Sequence, residues 1–518
     1  TSAQLESQCS ATISQCEILS LVANIIYGHI MIIPTALVFL ATFLLLYLFL
    51  NRDRSKNLPP GPFQWPLLGS LPYLTGDIRE RFKELGKKYG DVFTIYIGSK
   101  RTIILNSFEA TKEAFIKHGA VFSGRPQDLF FVEFITKGKG VISSQGRLWQ
   151  EQRRLSHRIL RDFGLGKNIM EERISTEVSA YLKEMDKYVD RPFDPSYLTQ
   201  SAIGNLIYSI TCGKRFDYDD PVFIKYIKIM NESFELCGTA GPLNVFPFLR
   251  HLPGDMFGFK KLMEYGVYMD AQFYDQINNH KKDFSSTDEP SDFIEAYIQQ
   301  MESEKGNDET TLNDYNLLRC VGDLTGAGAE TTTNTLKWIF IYLQHHPDIM
   351  ERLQKDIDDV IGTRTPSMAD KVNLPYVEAF INEIHRIVSI VPMGVPHSVT
   401  EDCKFRGYDI PNGTTIMSIT TSIHHDEKTW DNPHEFRPER FLDENNQIIN
   451  TEKLITFSVG KRVCLGEALA RMEIFLMVTS LLQRFSFFPV EGQPLPSKTG
   501  VVSITYVPPR FEMIVKRR

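Results

Sequence analysis

Followed for its apolar and polar positions, the chain begins with a polar stretch, residues 1–17. It then runs from Ile18 to Leu50 without an Asp, Glu, Lys or Arg. Met31–Leu50 alone is long enough to span a bilayer core as a helix, and the run ends at Asn51-Arg-Asp-Arg-Ser-Lys56. Positive charge just after a span keeps the following domain on the cytosolic side. The pattern predicts a lumenal tail over 1–17 and an uncleaved transmembrane signal anchor over 18–50. A cleavable signal peptide shares the apolar core, but it is shorter and carries a small-residue cleavage site that is not clear here. Leu58-Pro-Pro-Gly-Pro62 and Pro66 complete a basic, proline-rich hinge over 51–66, stiff and unable to prolong the anchor helix.

Beyond the hinge the pattern is mostly helical. Asp91-Val-Phe-Thr-Ile-Tyr-Ile-Gly and Arg101-Thr-Ile-Ile-Leu, around Gly98-Ser-Lys, predict a hairpin. Trp149 opens a helix carrying Arg153, Arg154, His157, Arg158 and Arg161, a run that on its own reads as a solvated basic face. Residues 170–310 read as helices interrupted by Gly238–Gly254, a loop rich in apolar and aromatic residues. Asp314 to about Gln344 predicts one long helix. Gly322, Gly326 and Gly328 each cost roughly 1 kcal/mol there, which predicts a place where helical hydrogen bonding gives way. Val391-Pro-Met-Gly-Val-Pro-His397 is extended, because its prolines forbid helix. A buried-face helix follows Gly466 near the C-terminus.

Composition narrows the reading. The 518 residues, 42% of them hydrophobic, show no linker or repeat after the hinge, so residues 67–518 are read as one large domain. A formal charge of −7 argues against general nucleic-acid binding. The seven cysteines include no CxxC pair; Cys212, Cys237, Cys320, Cys403 and Cys464 read as reduced thiols. Cys464 stands in a glycine-rich loop just before a helix N-terminus, where free N–H groups and the helix dipole favour a thiolate. Such a thiolate is a good axial ligand for haem iron. A lone Cys-x-Gly would more commonly be an ordinary buried cysteine.

The whole loop decides the matter. Phe457-x-x-Gly460-x-Arg462-x-Cys464-x-Gly466 resembles the haem-binding signature of the cytochrome P450 monooxygenases. Ala327-Gly-Ala-Glu330-Thr331-Thr resembles the family's oxygen-handling motif. Glu383-x-x-Arg386, followed by Pro438-Glu-Arg440-Phe, resembles its Glu/Arg/Arg triad. The order of motifs covers the chain from about residue 58 to the end, in the manner of microsomal family-2 proteins.

The resemblance implies a mainly α domain with small β-sheets, the cytochrome P450 fold, behind the transmembrane helix. It implies haem b with Cys464 as the axial ligand of the iron. The glycines would let the backbone pass under the macrocycle, and Arg462, Trp149, Arg153, Arg125 and His397 would meet its propionates. Thr331 and Glu330 would guide protons to oxygen. Ala327, Val391, Val395 and Val501 would line the substrate pocket under a roof formed around 220–260. Glu383, Arg386 and Arg440 would hold the loop structurally. Electrons would come from NADPH-cytochrome P450 reductase, with cytochrome b5 as a second partner, since the chain has no G-x-G-x-x-G fingerprint of its own. The expected place is the endoplasmic reticulum membrane with the catalytic domain cytosolic, and the expected substrate a fatty acid, a steroid or sterol, or a xenobiotic. A thiolate-haem isomerase or lyase and a non-catalytic haem-binding protein are the alternatives. The first tends to lack the acid–threonine pair; the second has no use for it.

Overall fold

The computed structural model describes residues 57–164, 168–285 and 289–518, together with Ser20, 34–35 and 37–43. The expected tail over 1–17 with Cys9 and Cys16, most of the expected span over 18–50, and the basic residues 51–56 lie outside the described residues. Among the described residues no helix is long and apolar enough to cross a membrane.

The proline-rich segment is docked onto the globule. Thr94 donates its N–H to the Pro60 carbonyl (2.8 Å) and its hydroxyl to Pro59 (2.8 Å). Gly61 is needed there, since a Cβ would fall 1.9 Å from the Thr94 oxygen. After α1 (Ile78–Tyr89), the expected hairpin forms from β1 (Val92–Ile97) and β2 (Lys100–Leu105), paired antiparallel with Val92 opposite Leu105. Gly98 turns it with a φ of +63°.

The basic segment forms α2 (Gly146–Asp162) and is followed by α3 (Asn168–Met185), β3 (Pro192–Phe193) and α4 (Ser196–Cys212). Nearly every position of α4 is buried, so apolar side chains surround it on all sides. Its buried Asn205 exchanges two hydrogen bonds with the Phe216 backbone, which satisfies an otherwise costly amide. The region from 221 to 303 supplies α5 (Pro221–Thr239), α6 (Phe259–Asp283) and α7 (Phe293–Ser303), and the apolar loop between α5 and α6 is a chain of 3₁₀ turns.

The long helix is α8 (Asp314–His345), packed against α4 at the centre of the molecule. It runs without the expected break. The physical reason lies in packing: a Cβ on Gly328 would meet Ile207 Cδ1 at 2.9 Å, so the glycine lets α4 approach. Thr325, Thr331 and Thr335 bond back to the carbonyls of Val321, Ala327 and Thr331 without breaking the helix.

α9 (Pro347–Val360) and α10 (Pro375–Val388) follow, then β4 (His397–Ser398), β5 (Cys403–Phe405), β6 (Tyr408–Ile410) and β7 (Thr415–Ser418). The chain closes with α11 (Glu467–Arg484), β8 (Phe485–Pro489), β9 (Val501–Val502), β10 (Tyr506–Val507) and β11 (Met513–Arg517). The largest sheet has the order β1-β2-β7-β4, with β2 and β7 parallel. The others are β3-β11-β8, β10-β9 and β5-β6. The architecture is mainly helical with small sheets, as expected.

Candidate active site

A cavity of about 290 Å³ lies between α8 and the loop that carries Cys464. The loop is shaped by its own backbone: Cys464 donates its N–H to Phe457 (2.9 Å), and Val463 donates to Gly460 (3.1 Å). Cys464 is open to the cavity and its thiol is free, as are Cys212, Cys237, Cys320 and Cys403. Burial among protein atoms pushes the Cys464 thiol up, against the opposing effects of the Gly466 N–H and Arg153. The helix end contributes with the sign that favours the thiolate, through the Gly466 N–H, and desolvation opposes it.

The two loop glycines do different work. Gly466 borders the cavity, and a Cβ there would meet no atom within 4 Å. Gly460 lies outside the cavity lining; its φ is +81°, and a Cβ would fall 1.9 Å from the Phe115 carbonyl oxygen. It serves the seating of the loop on residues 113–117, not the approach to a ligand. The Phe457 ring is met edge-on by His385 (centroids 5.5 Å apart) and faced by the Arg471 guanidinium (4.9 Å).

One end of the cavity is cationic. Arg125, Arg153, Arg462 and His397 all border it. Arg125 donates to the carbonyls of Ile142, Val395 and Pro396, and Arg462 to those of Ser123, Val141 and Ser144. Arg153 donates to the Val463 carbonyl at 2.6 Å, so it reaches the cysteine loop itself. Burial first, then repulsion from neighbouring guanidiniums (Arg153 on Arg125, Arg125 and Arg153 on Arg462), holds both well below the ordinary guanidinium range. Neither has a carboxylate partner among the described residues. His397 is likewise held far below the usual imidazole range, stacked on Phe115 with 4.0 Å between centroids. Trp149 is buried beneath Arg462, and its indole N–H has no partner among the described residues. Buried cations without an anion, an orphaned indole N–H, open space over Gly466 and a thiol across the cavity fit haem b, whose propionates and iron would satisfy them.

The opposite wall is the face of α8 with Asp323, Leu324, Ala327, Gly328, Thr331, Thr332 and Thr335. Thr331 donates to the Ala327 carbonyl (2.9 Å), which leaves its oxygen lone pairs free to accept. Glu330, adjacent in sequence, is not part of that wall. Its carboxyl is 7% exposed and accepts from Asn334 Nδ2 (2.7 Å) and Thr505 Oγ1 (3.1 Å). Burial raises its pKa above the ordinary value, against those hydrogen bonds and the charge of Lys337.

The triad assembles as expected. Glu383, buried in α10, accepts from Arg386 at 2.7 and 2.8 Å and from Arg440 at 3.0 Å. The guanidiniums pass their remaining N–H groups to the carbonyls of His424, Asp431, Pro433 and Glu435. Two arginines thus hold an irregular stretch that no sheet or helix supports.

Of the expected pocket residues, Ala327, Val391 and Val395 line the cavity. Val501 does not: it is 68% exposed, because the two-residue strand β9 turns it outward while Val502 packs inward. The expected roof over 220–260 supplies none of the lining residues. Sequence reading missed Ile207, Ile210 and Thr211 of α4, which border the cavity where α4 meets α8. It also missed two acids, one half-buried and one buried. Asp323 accepts the N–H groups of Val141 and Ile142 and is pushed up by burial to about 6. Glu473, one oxygen bonded to Thr332 (3.1 Å) and the other unpartnered, is pushed up to about 8. An acid within the apolar run from Met472 to Val478 was the available signal for Glu473.

The chain matches the family model for cytochrome P450 over residues 59–515. It is similar to cytochrome P450 2U1 of Homo sapiens, 36% identical over 500 residues that make up 91% of each chain. It is also similar to cytochrome P450 2C8 of Homo sapiens, 38% identical over 484 residues, 92% of this chain and 98% of that protein. Cytochrome P450 2C3 of Oryctolagus cuniculus is 38% identical over 482 residues, 92% of this chain and 97% of its own.

Proposed function

The chain belongs to the cytochrome P450 family and is a haem b monooxygenase, and from that premise we propose that it inserts one oxygen atom of O₂ into a fatty acid, a steroid or sterol, or a xenobiotic, with electrons from NADPH delivered by a flavoprotein reductase. One observation carries the reading: a single cavity, apolar over most of its lining, is bordered by Cys464, Thr331 and the unpaired guanidiniums of Arg125 and Arg462.

Haem, when bound, supplies the redox centre at which O₂ is activated. The protein's residues do the rest. Cys464 gives the iron a thiolate, whose charge the Gly466 N–H and Arg153 moderate. Arg125, Arg462, His397 and Trp149 would hold the propionates, and Phe457 would border the group beside the cysteine loop. Thr331 accepts a hydrogen bond from water in the cavity, since its own proton is committed to Ala327. Glu330 passes protons inward from the far side of α8. Glu383, Arg386 and Arg440 keep the cysteine loop in register. Ala327, Val391 and Val395 give the substrate an apolar surface, which favours lipophilic molecules.

Residues 1–17, 18–50, 51–66 and 67–518 act as lumenal tail, membrane anchor, hinge and monooxygenase domain, placing the enzyme on the cytosolic side of the endoplasmic reticulum membrane. Arg154, Arg158 and Arg161, exposed on α2, offer an acidic reductase and cytochrome b5 a docking face. The test is reconstitution with reductase and lipid. NADPH consumption coupled to an oxygenated product from a fatty acid, a steroid or a xenobiotic is expected; product formation without NADPH would instead identify an isomerase or lyase. A spectral-shift screen of those three classes selects the substrate.

A further inference from the structure

Glu330 faces away from the cavity, and what holds it there is not on its own helix alone. Thr505 stands in the turn between β9 and β10, 3% exposed, and its hydroxyl oxygen is within 3.1 Å of Glu330 Oε1 and 3.3 Å of Asn334 Nδ2. The same turn reaches α5. Ser503 donates to the Phe234 carbonyl (3.4 Å), and a Cβ on Gly238 would fall 2.8 Å from Ser503 Oγ. The turn is also internally braced, with the Ser503 N–H on the Thr505 carbonyl (2.9 Å) and Tyr506 donating to Ile390 (2.8 Å). Three residues therefore connect α5 to a buried acid on α8.

We propose that Thr505 is a positioning residue for Glu330: its hydroxyl fixes the direction in which the carboxyl points and ties that direction to the position of α5. The inference rests on the relay role assigned to Glu330 above. A displacement of α5 pulls Ser503, loosens the Thr505 hydrogen bond and lets the carboxyl leave the direction in which it relays protons. The charged groups facing Glu330 are Lys337 on α8 and Glu235 on α5, with Asp194 and Arg510 beside Lys337. Thr505 adds no charge to this set, so its replacement removes hydrogen bonds to Glu330 and Asn334 and leaves the charges in place.

The test uses haem-loaded full-length protein with Thr505→Val, Thr505→Ala as a smaller second variant, Thr505→Ser as the conservative control, and Glu330→Gln. The infrared carbonyl band of protonated Glu330 is the band that Glu330→Gln abolishes. A hydrogen bond to a carboxylate favours the charged form, so Val and Ala should move the midpoint of that band's titration upward and shift its frequency, while Ser keeps both. In parallel, peroxide formed per NADPH is measured with reductase and whichever of dodecanoic acid, progesterone or benzphetamine gives the largest spectral shift. Val and Ala should raise that ratio several-fold and Ser should restore it. If Glu330→Gln raises the ratio while the Thr505 variants match wild type in band, midpoint and ratio, this inference alone is overturned. If Glu330→Gln leaves the ratio at the wild-type value, the relay reading fails and this inference falls with it.

Discussion

The guanidinium of Arg462 lies over the indole of Trp149, its central carbon 3.8 Å from the ring centroid. A buried cation on an aromatic face gains about 2 kcal/mol, too little to offset the desolvation of Arg462 and Arg125 together without an anion.

Arg462→Met should therefore weaken haem retention by roughly 10- to 100-fold, the loss of charged hydrogen bonds worth about 1.5–3 kcal/mol. Trp149→Phe, which keeps an aromatic face and removes the N–H, should cost less. Haem transfer to apomyoglobin measures both, and equal rates for wild type and Arg462→Met would remove Arg462 from the propionate site.

Glu383→Gln leaves Arg386 and Arg440 buried with no counter-charge. Breaking a buried pair from one side costs about 3–5 kcal/mol. The expected outcome is protein that fails to accumulate in the holo form, read as loss of the red-shifted absorption band of the reduced, carbon monoxide-treated sample.

Glu473 gives the stability a pH dependence. Its folded pKa is raised to about 8, above that of an ordinary glutamate at 4.5. Between those values the folded state binds more protons than the unfolded one, so stability falls as pH rises from about 4.5 to 8 and levels off above. Glu473→Gln should flatten the thermal midpoint across that window, with a difference of a few kcal/mol at most by pH 8. Parallel midpoint-versus-pH curves for the two proteins would show Glu473 to be ionised throughout.

How much of this was legible in the sequence depends on whether an interaction is local. The Cys464 loop, the hairpin at Gly98 and the Glu383–Arg386 pair were readable because spacing along the chain sets them. Glu330 and Thr331 were readable as a pair, but not their divergence: successive helix positions lie about 100° apart, and Thr505, far along the chain, decides where the carboxyl goes. Gly460 was read as an approach to the macrocycle when the Phe115 carbonyl is what requires it. The pocket role expected of Val501 failed for a related reason, since a two-residue strand has too little alternation to assign its faces.

Thr331→Ala should leave haem bound while diverting reducing equivalents to peroxide, several-fold more per NADPH than wild type. The hydroxyl keeps its lone pairs free beside the cavity after its back-bond to Ala327. Fully coupled turnover in the variant, measured as product per NADPH, would remove the threonine from proton handling.

Charge reversal on α2 should act on the encounter with reductase. Arg158 is exposed and bonded to Gln300 (2.7 Å), and Arg161 lies beside Asp162 (3.2 Å), so neither supports the core. Arg158→Glu with Arg161→Glu should raise the apparent KM for reductase severalfold at low salt, and less at high salt. An unchanged KM would make these arginines ordinary solvated side chains.

The contact of Gly328 with Ile207 limits how this enzyme can accommodate molecules of different size. With α8 and α4 pressed together at a position where even one extra carbon would collide, that side of the chamber has no slack to give. Adjustment falls to the flank formed by residues 391–397, held by a loop and a two-residue strand. Breadth of chemistry, in such a molecule, is a property of one flank, and exchanges at 391–395 should redirect selectivity while exchanges along the helix pair cost the fold.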